Sequence, residues 1–444
     1  MAKTKTLTEG TPWKLLLSFS IPILIGQVVQ LFYSLVDTKV VGATLGELAL
    51  ASVGSVSTLY NLTNGFANGL TMGFAIIIAM YFGRKDEKNL KKAFAADILL
   101  SLVIIAVVIV GLMLFLRPVL GLLHVPEEQM EMSVSYISVL IVGLFATVLY
   151  NMFANALRAL GDSVTPLIFL IIAALTNVVL DYGFILGFGM GVEGAAWATV
   201  ISQILSVVLC FLRVRRKFPV LHVSASDFRL ERGMVSELVK SGLSMSLMSC
   251  LVSFGTVSLQ SAINQMGTAV IVAHTATRKL FEIIMVPSMV LSAAMATFSG
   301  QNYGAGRLDR IRAGLKSALL IGLGWSGIAI ALIYLTANYL IRFIASSSNP
   351  EVIYWGVTYI RLNVLFLIVC LCVCVLRNTM QGFGNRKIPV ISSLIELVGK
   401  VIFAFALAPV LGYWGIIWSE PVVWFAMVIP LAISTVRTFR RNGV

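Results

Sequence analysis

Two aspartates, Asp37 and Asp181, lie inside long apolar runs, and neither has a basic residue three or four positions away on its own helix. A lone charge at the centre of a bilayer costs at least ~2.5 kcal/mol, so such a residue faces a partner or a wet interior. Their neighbours are polar as well. Gln27, Gln30, Ser34 and Asp37 recur at helical spacing on one face, with Tyr33 beside it. Ser57, Asn61, Asn64 and Asn68 make a second stripe, Asn151 and Asn155 a third, Asn177 and Asp181 a fourth, and Thr199 and Gln203 a fifth. Helices that line a wet cavity need such stripes. Carboxylate, amide and hydroxyl oxygens suit either a proton relay or a Na⁺ cage, and two acids in one pocket titrate as a pair. The competing reading is interhelical glue, worth ~0.6 kcal/mol per hydrogen bond. It suits a single asparagine better than the two acids.

The elements that position these residues are membrane spans. Of the 444 residues, 58% are hydrophobic and 12% charged, with mean hydropathy +0.94. Soluble domains carry roughly 25% charge, so a soluble enzyme, a secreted scaffold and a disordered chain are excluded. Apolar runs are too long for a transmembrane barrel. The pattern predicts an all-α integral membrane protein of twelve transmembrane helices. Six form an N-terminal lobe over 1–214, a cytoplasmic linker covers 215–237, and six more form a C-terminal lobe over 238–444. The stretch from Leu15 to Val36 is too long for a signal peptide and reads as the first span. Basic residues crowd the loops after even-numbered spans and both termini, Lys3, Lys5 and Lys14 among them. By the positive-inside rule both ends are cytoplasmic, in the cytoplasmic (inner) membrane. The net charge of +13 is therefore topology, with no nucleic-acid partner implied. The five cysteines lie in apolar runs as packing residues.

The two halves repeat. Gly83 matches Gly304, Pro166 matches Pro389, and Gly194 with Trp197 matches Gly415 with Trp418. Six spans per half make the repeat parallel, a pseudo-two-fold arrangement with a central cavity. The second half carries its charges differently: Arg278 and Glu282, then Glu396 and Lys400, are i, i+4 pairs that neutralise themselves locally or line a substrate path. Gln260 lies on a polar face of the seventh span. Glu420 reads as interfacial, and His274 as a packed histidine rather than a ligand. Pro22, inside the first span, is a candidate hinge.

Taken in order, "YSLVDTKVVGATLG" from Tyr33, "ALRALGDSVTP" before span five, "VEGAAWAT" in span six and "GQNYGAGRLDR" after span eight resemble the bacterial multidrug and toxic compound extrusion (MATE) transporters over nearly the whole chain. The resemblance implies antiport rather than enzymatic chemistry. A cation, H⁺ or Na⁺, enters while an amphipathic, often cationic, drug-like compound leaves by alternating access, with no cofactor. It further implies a DinF-type cation site in the first lobe, made of Asp37, Asn177, Asp181 and Thr199. Gln30, Tyr33, Asn61, Asn64, Asn68, Asn155, Gln203, Gln260, Arg278, Glu282, Glu396 and Lys400 would line the substrate path. The NorM-type acid in span seven has no counterpart in "LSMSLMSCLVSF". A monomer in the lipid bilayer is expected. A flippase for a lipid-linked saccharide is the alternative, although it calls for several cavity cations that the first-lobe spans lack.

Overall fold

A computed structural model describes residues 6–123, 125–441 and 443; Lys3 and Lys5 lie outside them. The described residues form helices and no strands. The spans are α1 (Pro12–Leu45), α2 (Glu47–Gly83), α3 (Glu87–Leu114), α4 (Glu127–Ala159), α5 (Val164–Gly187) and α6 (Gly191–Lys217). They continue with α7 (Arg232–Ile263), α8 (Thr268–Gly304), α9 (Leu308–Ala345), α10 (Pro350–Leu365 and Leu367–Gly382, bent by 52°), α11 (Lys387–Leu411) and α12 (Tyr413–Arg441). Counting the bent pair once gives twelve spans among the described residues.

Their outer faces show why the solvent is lipid. On α3, Val103, Val107, Val110 and Leu114 follow helical spacing and are 52%, 68%, 58% and 72% exposed. Water would oppose an apolar stripe of that length; hydrocarbon does not. Inward faces pack through small residues. A Cβ at Gly143 on α4 would stand 2.2 Å from Val200 of α6, so glycine there lets the two helices meet.

The chain divides into two compact units, one of residues 21–246 and one of residues 7–20 with 247–444. These bounds differ from the lobes expected at 214 and 238. The start of α7 packs inside the first unit: Ser241 donates to the Gly73 carbonyl (2.7 Å) and Ser246 to that of Phe66 (2.8 Å). In the second unit the "GQNYGAGRLDR" stretch holds the amino-terminal segment. Leu7 N–H donates to Gln301 (2.8 Å), Asn302 donates to the Leu7 carbonyl (3.2 Å), and Arg310 donates to that of Gly10 (2.9 Å). Pro22 stands where α1 passes from one unit into the other.

The repeat is visible in the backbone of each unit. Gly46 separates α1 from α2 at φ 84°, and Gly267 separates α7 from α8 at φ 90°, a region that an L side chain enters only at a cost. A π-helical turn follows Asp181 at Gly183–Gly187 in α5, and another lies at Phe403–Leu407 in α11. Such turns insert an extra residue and often mark functional helices. The register extends to side chains: Asn155, eleven positions before Pro166, donates to Thr71 (3.1 Å), and Asn378, eleven before Pro389, donates to Ser292 (2.6 Å).

Candidate functional site

The first-unit site is built from three helices. On α1, Tyr33 and Asp37 are one turn apart. On α5 the same spacing brings Asn177 and Asp181 to one face, both fully buried, and α6 contributes Thr199. The Thr199 hydroxyl is the hub. It donates to the Ala195 carbonyl (3.1 Å) and so receives from Tyr33 Oη (3.2 Å) and from Asn177 Nδ2 (3.4 Å). With its amide nitrogen committed to Thr199, Asn177 turns its oxygen the other way.

That leaves an unusual set of acceptors. The carboxyl groups of Asp37 and Asp181 face each other. Asp37 Oδ1, Asn177 Oδ1 and both oxygens of Asp181 are buried and receive no hydrogen bond from an amide, hydroxyl or basic group among the described residues. No lysine or arginine among the described residues pairs with either acid. Two facing carboxylates with no donor lack positive charge, which a proton or a small cation supplies. Oxygen-only ligands of this kind suit such an ion rather than a transition metal.

The second unit solves the same problem with its own side chains. Lys400 Nζ lies 3.0 Å from Glu396 Oε1 and 3.4 Å from Glu420 Oε1. Arg377 closes on the other oxygen of Glu396 (3.3 Å), and Arg278 closes on Glu420 (3.3 Å). Charges therefore alternate Arg377, Glu396, Lys400, Glu420, Arg278 across α10, α11, α12 and α8. Lys400 is 3% exposed, and the two glutamates 7% each. Glu282 stands 4.0 Å from Arg278 and is 66% exposed, a loose end to the chain.

With the geometry of both units in hand, the comparisons decide the family. A family model described as MatE matches this chain twice, over residues 22–183 and again over 245–406. The chain belongs to the MATE family. It is 26% identical over 425 residues to the probable multidrug resistance protein YoeA of Bacillus subtilis, covering 93% of this chain and 91% of that one. To the probable multidrug resistance protein YpnP of the same organism it is 29% identical over 362 residues, covering 81% and 80%. A crystal structure of MATE in the bent conformation shares the fold with a TM-score of 0.92 at 22% identity, over 100% of both chains. The protein is thus a multi-pass membrane transporter of the MATE family and not an enzyme.

In this MATE chain the residues expected in the cavity separate into two groups. Gln30, Asn61 and Asn68 are exposed, and Asn64 is half-buried. Asn155 and Gln203 are occupied with packing instead: Asn155 also receives Arg158 (2.9 Å), and Gln203 is bonded to Thr147. Gln260 donates to Asn264, just past the end of its helix (2.8 Å). Three expectations need correction. Glu420 is not interfacial but buried between Arg278 and Lys400. Arg278 reaches Glu420 more closely than it reaches Glu282, its neighbour along the helix. Arg377, which reads in the sequence as one of the basic loop residues, is a half-buried partner of Glu396. Two further residues were missed around the first-unit acids. The phenols of Tyr60 on α2 and Tyr136 on α4 stand within electrostatic reach of Asp37. A third embedded acid, Asp97 on α3, is fully buried with Ser101 as its donor (2.9 Å). His274 contacts the Tyr413 hydroxyl (3.0 Å) and packs edge-on against Tyr359.

Proposed function

We propose that this MATE chain is a cation-coupled multidrug exporter of the cytoplasmic (inner) membrane, monomeric and with both termini cytoplasmic. H⁺ or Na⁺ enters through Asp37, Asn177, Asp181 and Thr199, a first-lobe site of the DinF type, as amphipathic, often cationic compounds leave. One observation carries this reading: four acceptor oxygens on Asp37, Asn177 and Asp181 are buried without a protein donor, on two facing carboxylates with no basic partner. A transporter cycles by binding and releasing its ion at such a place, because ion loading changes the charge there and with it the relative stability of two conformations. The names of its relatives from Bacillus subtilis, both probable multidrug resistance proteins, support the substrate class. Pro22 would let α1 bend as the ion comes and goes.

The test is transport in proteoliposomes under a pH gradient and a Na⁺ gradient imposed separately, with a fluorescent cationic dye as substrate. Export driven by one gradient and lost in Asp37→Asn is the expected result. Export that runs without either gradient, or survives Asp37→Asn unchanged, would overturn the assignment.

A further inference from the structure

The repeat aligns the two sites residue by residue. Seven and eleven positions after Pro166 stand Ala173 and Asn177; at the same distances after Pro389 stand Glu396 and Lys400. Five positions after Gly194 stands Thr199, and five after Gly415 stands Glu420. The matched pairs make matched contacts. Asn177 Nδ2 lies 3.4 Å from Thr199 Oγ1, and Lys400 Nζ lies 3.4 Å from Glu420 Oε1. The acids of the first unit have no such counterparts: Ser258 takes the place of Asp37, nine residues before the separating glycine, and Ala404 that of Asp181. Each unit thus gathers two carboxylates at one locus. In the first unit no side chain among the described residues supplies the positive charge between them. In the second it sits on a side chain, and the fold makes room for it: a Cβ at Gly255 on α7 would stand 2.9 Å from Lys400 Cδ.

The geometry points to the Lys400 locus as a monovalent-cation site that the chain occupies with its own ammonium. The second unit is permanently loaded, so the coupling ion acts on the first unit alone. This rests on the proposed ion site at Asp37 and Asp181 and deepens it. Removing the ammonium should open a place for a small alkylammonium between Glu396 and Glu420, flanked by Arg377 and Arg278.

The experiment measures equilibrium binding of radiolabelled methylammonium to purified protein in detergent. All proteins carry Asp37→Asn, so the first-unit acid pair is broken and failure of the coupling-site reading cannot imitate failure here. The expected result is no saturable binding with Lys400 present and a single saturable methylammonium per chain in Lys400→Ala, lost again when Glu396→Gln is added. Thermal unfolding gives a second readout: methylammonium should raise the midpoint of Lys400→Ala and leave that of the Lys400 protein unchanged. Lys400→Gln, which keeps a polar group against Glu396, serves where the alanine variant does not fold, with the same expectation. Absence of saturable binding in the foldable variant, or equal binding with Lys400 intact, would overturn the proposal. A merely structural ion pair predicts a fall in stability without a stoichiometric new ligand.

Discussion

The two units bury their acids in opposite ways. Around Asp37 and Asp181 the protein supplies a hydroxyl hub and an amide, but no donor for four buried oxygens. Around Glu396 and Glu420 it supplies three cations in alternation. The same helical scaffold therefore carries one site that is open to charge and one that is complete. A complete site holds helices in place. An open one costs stability in the ion-free state, and that deficit lets an external ion shift the population of conformations.

Disabling the open site should have the largest effect. Asp37→Asn is expected to reduce ion-driven export at least ~100-fold, since a population shift needs differential binding of that order or more, while the amount of protein in the membrane stays constant by immunoblot. Next comes a contrast in sign, read by thermal unfolding of purified protein. Glu420→Gln strips one carboxylate from a complete network and should destabilise by about 3–5 kcal/mol. Asp181→Asn removes a carboxylate that has no donor and should be neutral or stabilising by about 1–3 kcal/mol. Equal destabilisation by the two would erase the distinction between the units. Gly255→Ala presses on the flexible Lys400 stem and should cost about 1–2 kcal/mol, whereas glycines that line no cation, such as Gly54, should tolerate alanine. The smallest effect concerns the repeat itself. Lys85 has φ 59° where the second half places Gly306 at φ 70°, so Lys85→Gly should stabilise by ~0.5–1 kcal/mol.

Much of this was legible before any fold was known. Period and hydropathy mark twelve spans, and charge asymmetry marks loops, because a bilayer imposes both. Asp37, Asn177, Asp181 and Thr199 stand out as polar residues at helical spacing, and the fold brings them to one locus. Partners on different helices are another matter. Spacing along α8 suggests Glu282 for Arg278, yet Glu420 on α12, far away in sequence, is closer. Asp97 escaped notice because it follows Lys91 and Lys92 within two turns and reads as part of the same polar loop. Asn155 and Gln203 read as polar stripe residues in one dimension, and only the fold shows their bonding partners, Thr71 and Arg158 for the first and Thr147 for the second. The π turns leave no sequence trace that periodicity could detect.

The way each unit includes a segment from the other half of the chain has a consequence for biosynthesis. Residues 7–20 are made well before Gln301, Asn302 and Arg310, the side chains that hold that segment. The first unit in turn needs Ser241 and Ser246, which follow its sixth span. Neither half can mature fully while the other is missing, although domains commonly fold one after another during synthesis. A chain stopped after residue 214 would lack the opening turns of α7 and leave the Gly73 and Phe66 carbonyls without their serine donors. The docking of residues 7–20 must wait until the stretch from Gln301 to Arg310 has been made.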